Sequence, residues 1–324
     1  MNILVAGGGG FIGSHIVNRM VSDGHDVVAA DIKPLDEWSQ LHGQAYNISV
    51  DLRGLENCYS LLQSRHFDEV YMLAADMGGM GYIETHKLNC MLSVLQSTNM
   101  LVAANAANVG RFFYSSSACV YAASKQSDPT NPSLKESDAY PAEAEDGYGW
   151  EKLFTERMCR HFTEDTGLIT RVARYHNVYG THTHYDGGRE KAPAAICRKV
   201  IEAKLSGVHE IDIWGDGRQT RSFMFNDDCV EGTIRIMRSE NYTEPLNLGS
   251  DRLISINELV DLIEDIAGIG LKRTYNLSAP QGVRGRNSDN ALLEKTIGWV
   301  PHVALEDGLE KTYEWIYNKM VKSV

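Results

Sequence analysis

MNILVAGGGGFIGSHIVNRMVSDGHDVVAAD, residues Met1–Asp31, reads as strand, glycine turn, helix and strand. Apolar runs at Ile3–Val5 and Asp26–Ala30 flank an amphipathic stretch at Phe11–Ser22. Gly7, Gly10 and Gly13 form a GxxGxxG turn around Phe11 and Ile12. Glycines there permit a tight turn and a close backbone approach to a pyrophosphate, which then rests on the helix N-terminus. Asp31 follows at the end of the second strand, where a carboxylate accepts hydrogen bonds from ribose hydroxyls and repels a 2′-phosphate. The unit therefore points to a dinucleotide, with NAD favoured over NADP; Lys33 nearby argues the other way. Asp51, in VDLR, is read either as an adenine contact or as a helix N-cap.

The same rhythm continues outward. Apolar runs at Asn47–Val50, Val70–Leu73, Arg111–Ser115 and Ile169–Arg174 read as further strands, with helical patterns at Leu88–Ala107 and Tyr148–Thr166. Strands alternating with helices predict an α/β fold, a doubly wound parallel sheet covered on both faces. Ligands then sit at the carboxyl ends of the strands. Beyond Gly180 the pattern loosens into helices near Ala192–Leu205, Ser255–Ala267 and Leu305–Met320 and a short strand at Glu210–Ile213. We divide the chain into residues 1–175, holding the dinucleotide, and 176–324, a smaller α/β substrate domain with chain crossings back to the core.

The 324 residues are 43% hydrophobic and 23% charged, with a net charge of −12. That balance argues against nucleic acid as a partner, because phosphate backbones need a basic surface. No apolar run is long enough for a membrane span. Six cysteines lie far apart with no CxxC pair, which disfavours zinc and disulfides and suggests a reduced, cytoplasmic, soluble protein.

Tyr148-Gly-Trp-Glu-Lys152 puts a phenol and an ammonium on one helical face. A nearby ammonium and a cationic nicotinamide favour the phenolate, making it a usable base near neutral pH. Cys119, in SSSACVY, sits at the mouth of the fifth strand, and its thiol titrates closer to neutrality than a hydroxyl. Lys191, in GGREKAPAA, is a candidate partner, and Arg221, Arg284 and Arg286 suit bidentate phosphate contact. His176 ends an apolar strand and stays open between a structural and a catalytic part.

With its YxxxK pair behind a glycine turn, the chain resembles the extended short-chain dehydrogenase/reductase family. Within it, AADMGGMGYIETH, SSACVY, GGREKAPAA and QGVRGRNSDN look like the GDP-mannose 3,5-epimerases over nearly the whole chain. The resemblance implies a Rossmann sheet, NAD as cofactor, GDP-mannose as substrate, a homodimer packed through Leu88–Ala107 and Tyr148–Thr166, and guanine recognition that no residue reading supplies. It implies Tyr148, Lys152 and Ser117 for the redox step, and Lys152 also on the nicotinamide ribose. Cys119 and Lys191 are the implied acid–base pair at C5 and C3. Arg221, Arg286 and Asn177 are implied at the diphosphate, and Met77, Gly78, Gly79, Ser117, Glu190 and Lys191 about the sugar. The product expected is GDP-L-galactose, with GDP-L-gulose if C5 alone inverts. Ala118-Cys119 stands where dehydratases of the family carry Asp-Glu, which counts against dehydration. YGTHTHYDGG departs from the pattern, and His182, His184 and Tyr185 are expected to alter the sugar fit. Two alternatives stay open: a 4-epimerase or C3/C5 epimerase of another nucleotide sugar, and a non-catalytic protein that binds NAD or a nucleotide sugar.

Overall fold

The computed structural model describes residues 1–130, 133–240 and 242–322. Six strands follow in chain order: β1 Asn2–Ala6, β2 Asp26–Asp31, β3 Tyr46–Ser49, β4 Glu69–Met72, β5 Arg111–Ser117 and β6 Ile169–Tyr175. With Leu246–Leu248 they form a seven-stranded sheet, ordered from that short strand through β6, β5, β4, β1 and β2 to β3. Every pairing in it is parallel. The strand order reverses between β1 and its two neighbours β2 and β4, so a crevice opens at their carboxyl ends.

The apolar strands are buried because helices cover both faces. Helices Phe11–Ser22 and Asn226–Met237 lie on one side, with Val5, Ile16, Val17, Cys229 and Ile234 in a common core. Helices Leu55–Gln63, Lys87–Ala106 and Tyr148–Thr166 lie on the other, packing Leu4, Leu61, Leu101 and Cys159. A third core joins helices Ala192–Ser206, Ile256–Ala267 and Leu305–Lys322 through Val200, Leu259 and Leu309. The last strand of the main sheet therefore comes from beyond residue 176, and so does one of its covering helices.

Two glycines of the first turn are fixed by geometry. Gly7 has φ +87° and carries no side chain where a Cβ would stand 2.7 Å from Ala74 N. A Cβ at Gly13 would collide with the Gly7 carbonyl oxygen, so only glycine lets the helix start this close to β1.

Candidate functional site

The sheet's crevice and the second half of the chain enclose a cavity of about 970 Å³. Gly7, Gly10, Phe11, Ile12, Gly13 and Asp31 line one end. No side chain caps the helix that begins at Phe11, so its N-terminal backbone donors and dipole face an anion unobstructed. Asp31 ends β2 and accepts from the backbone N–H of Gly9 and of Lys33, each at 3.1 Å. The Lys33 ammonium donates to the Gly9 carbonyl at 2.8 Å, so this cation is already engaged. A bare helix end beside a ribose-type carboxylate fits a dinucleotide without a 2′-phosphate.

Asp51 does not share the cavity. Arg53 takes its carboxylate at 2.6 Å and holds its pKa below the ordinary value. Val50, Leu52 and Arg53 line the wall beside it, and Gly54 is the N-cap of the next helix, so the N-cap reading of Asp51 is corrected.

Ser117 closes β5, and a tight turn follows at Ala118–Val120. Its hydroxyl accepts the Cys119 N–H at 3.2 Å and lies near enough to the Tyr148 phenol to favour its ionised form. Tyr148 and Lys152 start one helix and share its inner face, both buried. The Lys152 ammonium lies 5.4 Å from the centre of the Tyr148 ring and 4.7 Å from that of Tyr114. Glu151 approaches it at 3.6 Å while accepting the Tyr114 hydroxyl at 3.0 Å. Burial pushes the Tyr148 phenol well above its ordinary pKa, Cys119 and Glu151 add to that, and the Ser117 hydroxyl opposes it. Deprotonating Tyr148 thus requires positive charge beyond what these neighbours supply.

Cys119 is buried against the cavity, 6% exposed. Burial, then the charge of Glu145, pushes its thiol up to about 11, and Arg286 pulls the other way. Lys191 reaches the same cavity from the N-cap of helix Ala192–Ser206. Burial lowers its pKa, and a cation at a helix N-terminus is disfavoured in the same direction. Cys119 acts on Lys191 with the opposite sign, by a smaller amount than burial.

Met77, Gly78 and Gly79 follow β4 and close over the site. A Cβ at Gly79 would strike the Glu190 carbonyl, so the loop and the GGREK segment pack backbone to backbone. Arg189 ties them: it reaches Asp76 at 2.7 Å and Tyr82 Oη at 2.7 Å, and its guanidinium stands 3.9 Å over the Tyr82 ring. Glu190 accepts from Gly188 N–H at 2.7 Å and faces Arg198 at 3.6 Å. Asn177 has φ +42°, strained for a residue other than glycine, and gives its amide to the Ser222 carbonyl at 3.0 Å.

Arg221 and Arg286 stand opposite each other in neighbouring parallel strands, Thr220–Arg221 and Gly285–Arg286. Arg221 donates to the carbonyls of Thr220 and Gln281 at 2.7 and 3.2 Å. Burial and the adjacent Arg286 lower it to about 9. Two guanidiniums so placed call for an anion. Arg284 is different: Asp216 binds it at 3.1 Å through both oxygens, and it does not line the cavity, contrary to its expected phosphate contact.

His176 is fully buried, bonded through Nε2 to Asn247 Oδ1 at 2.9 Å, and burial lowers it to about 3; it is structural. His182 and Tyr185 rest on Trp315, at 5.2 and 5.8 Å between ring centres, and neither lines the cavity. His184 does line it, within the electrostatic reach of Lys33 on one side and of Arg189 and Glu190 on the other. The expected contact with the sugar is therefore corrected for His182 and Tyr185, which pack on Trp315 instead. Sequence reading also missed the Asp76–Arg189–Tyr82 brace, although its members stand in the AADMGGMGYIETH and GGREKAPAA motifs, and it missed the wall residues Lys199 and Gln219 and the neighbouring Glu145, which carry none.

Residues 3–249 match the NAD dependent epimerase/dehydratase family. GDP-mannose 3,5-epimerase 1 of Oryza sativa subsp. indica is 46% identical, covering 99% of this chain and 83% of that protein. The GDP-mannose 3,5-epimerase of Arabidopsis thaliana is 44% identical, covering 99% and 84%. The UDP-glucose 4-epimerase of Thermotoga maritima, solved with UDP-glucose, superposes with a TM-score of 0.88 at 26% identity, covering 99% of this chain and 100% of that one.

Proposed function

The chain belongs to the NAD dependent epimerase/dehydratase family, and we propose that it converts GDP-α-D-mannose to GDP-L-galactose through a 4-keto sugar. The observation that carries the reading is a thiol and an ammonium, Cys119 and Lys191, lining one cavity with the Tyr148–Lys152 pair. A 4-epimerase needs only the second pair; moving protons on carbon needs the first as well.

NAD, held by the first glycine turn and Asp31, supplies a reversible hydride acceptor at C4, so the sugar leaves with no net redox change. Tyr148 takes the C4 hydroxyl proton, with Ser117 beside its phenol and Lys152 alongside. The ketone acidifies the hydrogens on C3 and C5. One of Cys119 and Lys191 removes such a proton to give the enolate, and the other returns a proton to the opposite face of the same carbon. Tyr148 then gives its proton back to O4. GDP-L-gulose accompanies the main product when C5 alone inverts. Arg221 and Arg286 bind the diphosphate; Met77, Gly78, Gly79, Asn177 and Glu190 wall the sugar.

Residues 1–175 hold the cofactor, while 176–324 supply most of the nucleotide-sugar wall. The protein acts as a homodimer in a reducing cytoplasm. Support for the dimer comes from Leu88, Met91, Leu95, Trp150 and Phe154, each more than two-fifths exposed on helices Lys87–Ala106 and Tyr148–Thr166. Support for the compartment comes from six buried, unpaired cysteines; among the described residues no helix is long and apolar enough to cross a membrane.

The test is to incubate purified protein and NAD with GDP-mannose and identify the sugars released by hydrolysis of the products. L-Galactose, with or without L-gulose, supports the reading. Mannose alone rejects it.

A further inference from the structure

Glu145 lies beside Cys119 and takes no part in the reaction described above. It precedes helix Tyr148–Thr166, and its backbone N–H donates to the Cys119 carbonyl at 2.9 Å. A Cβ at Gly149 would strike that same carbonyl, so glycine there lets the two segments press together. Both Glu145 carboxylate oxygens are buried without a hydrogen-bond partner, and the nearer stands 3.7 Å from Arg286 Nη2. Arg286 also donates from Nη1 to Cys119 Sγ at 3.5 Å, and Gln126 Oε1 holds its Nε at 2.5 Å. One buried guanidinium is thus shared between a thiol and a carboxylate. A buried carboxylate needs a facing cation, and here Arg286 is that cation.

We propose that Glu145 is a positioning residue that acts on Cys119 through their shared Arg286, setting the pH at which the thiol gives up its proton. This rests on the reading of Cys119 as an acid–base group. The charge around the thiol comes from every segment packed on it. Arg286 and Arg221 come from neighbouring strands, Lys191 from the start of a helix, Tyr148 from the start of another, and Glu145 from the loop before it. The cations favour the thiolate. Glu145 favours the thiol, and with burial it outweighs them. Removing its charge should therefore make the thiolate form at lower pH.

The experiment measures the rate of Cys119 alkylation by iodoacetamide against pH, read from the mass of its peptide. It is run on the full-length protein, Glu145→Gln, Glu145→Ala and Glu145→Asp. In the Gln and Ala variants the midpoint should fall by about one pH unit or more, as removal of a neighbouring like charge dictates. The Asp variant should titrate close to the parent. Unchanged midpoints in both uncharged variants would overturn the proposal and leave Glu145 a packing residue. GDP-mannose turnover is followed in the same buffers. A shifted midpoint without turnover supports Glu145 and rejects the substrate; turnover with unshifted midpoints rejects Glu145 alone.

Discussion

Tyr148 and Cys119 are both held in their neutral, protonated forms by burial, and both must part with protons during the reaction proposed. For Tyr148 the counterweights are Lys152 and the cofactor's positive ring, so the phenol matters only with both in reach. Replacing Tyr148 with Phe keeps the ring and removes the proton acceptor. Turnover should drop by about 10²–10⁴-fold with NAD still bound, measured by steady-state rates and by the cofactor retained on gel filtration. Cys119→Ser keeps the size and raises the intrinsic pKa, so hydride chemistry at C4 should survive while inversion at carbon is lost. A fully active serine variant would remove Cys119 from the mechanism. These residues were legible because each stands in a short motif at the mouth of a strand or helix. Glu145 was not, because its part depends on Arg286, which arrives from a strand near the other end of the chain.

At the scale of elements, the informative feature is the cross-strand pair Arg221 and Arg286. Like charges side by side in a sheet destabilise it by up to about 1 kcal/mol, and an anion relieves the strain. Arg221→Met should therefore raise the thermal midpoint of the ligand-free protein while weakening nucleotide-sugar binding, read by calorimetry with and without GDP. A lower midpoint would mean that the carbonyls of Thr220 and Gln281 matter more than the repulsion. The parallel strands β1–β6 were readable to within about two residues at either end, since all but the edge strand β3 are covered on both faces and appear as apolar runs. Leu246–Leu248 and the two-residue strands carrying both arginines were not, being too short for any period to register. Helix Asn226–Met237 was missed for another reason. Gly232 interrupts its pattern, yet it is there because Leu248 and Trp299 press on the helix at that point.

For the whole molecule, the chain returns to its first sheet after leaving it, so no linker marks a boundary. His176 sits at this junction, bonded to Asn247 and fully buried. Its folded pKa of about 3 lies below the ordinary 6.5, so between those values the unfolded chain binds a proton that the folded protein refuses. Its stabilising contribution is complete above pH 6.5 and is lost as pH falls toward 3, by at most about 1.4 kcal/mol per unit. Urea unfolding at pH 7, 6 and 5 should show a shallower acid-side loss in His176→Gln than in the parent. The exposed stripe of Leu95 and Phe154 carries a second expectation: Leu95→Glu with Phe154→Glu should yield a folded monomer by light scattering. The experiment to do first is proton NMR of GDP-mannose with the protein and NAD in deuterated water. Deuterium should enter the sugar at C5 and C3 as galactose-type signals grow, and Cys119→Ser should abolish that entry. New sugar signals that appear without deuterium on carbon would contradict a proton-transfer role for Cys119 and Lys191.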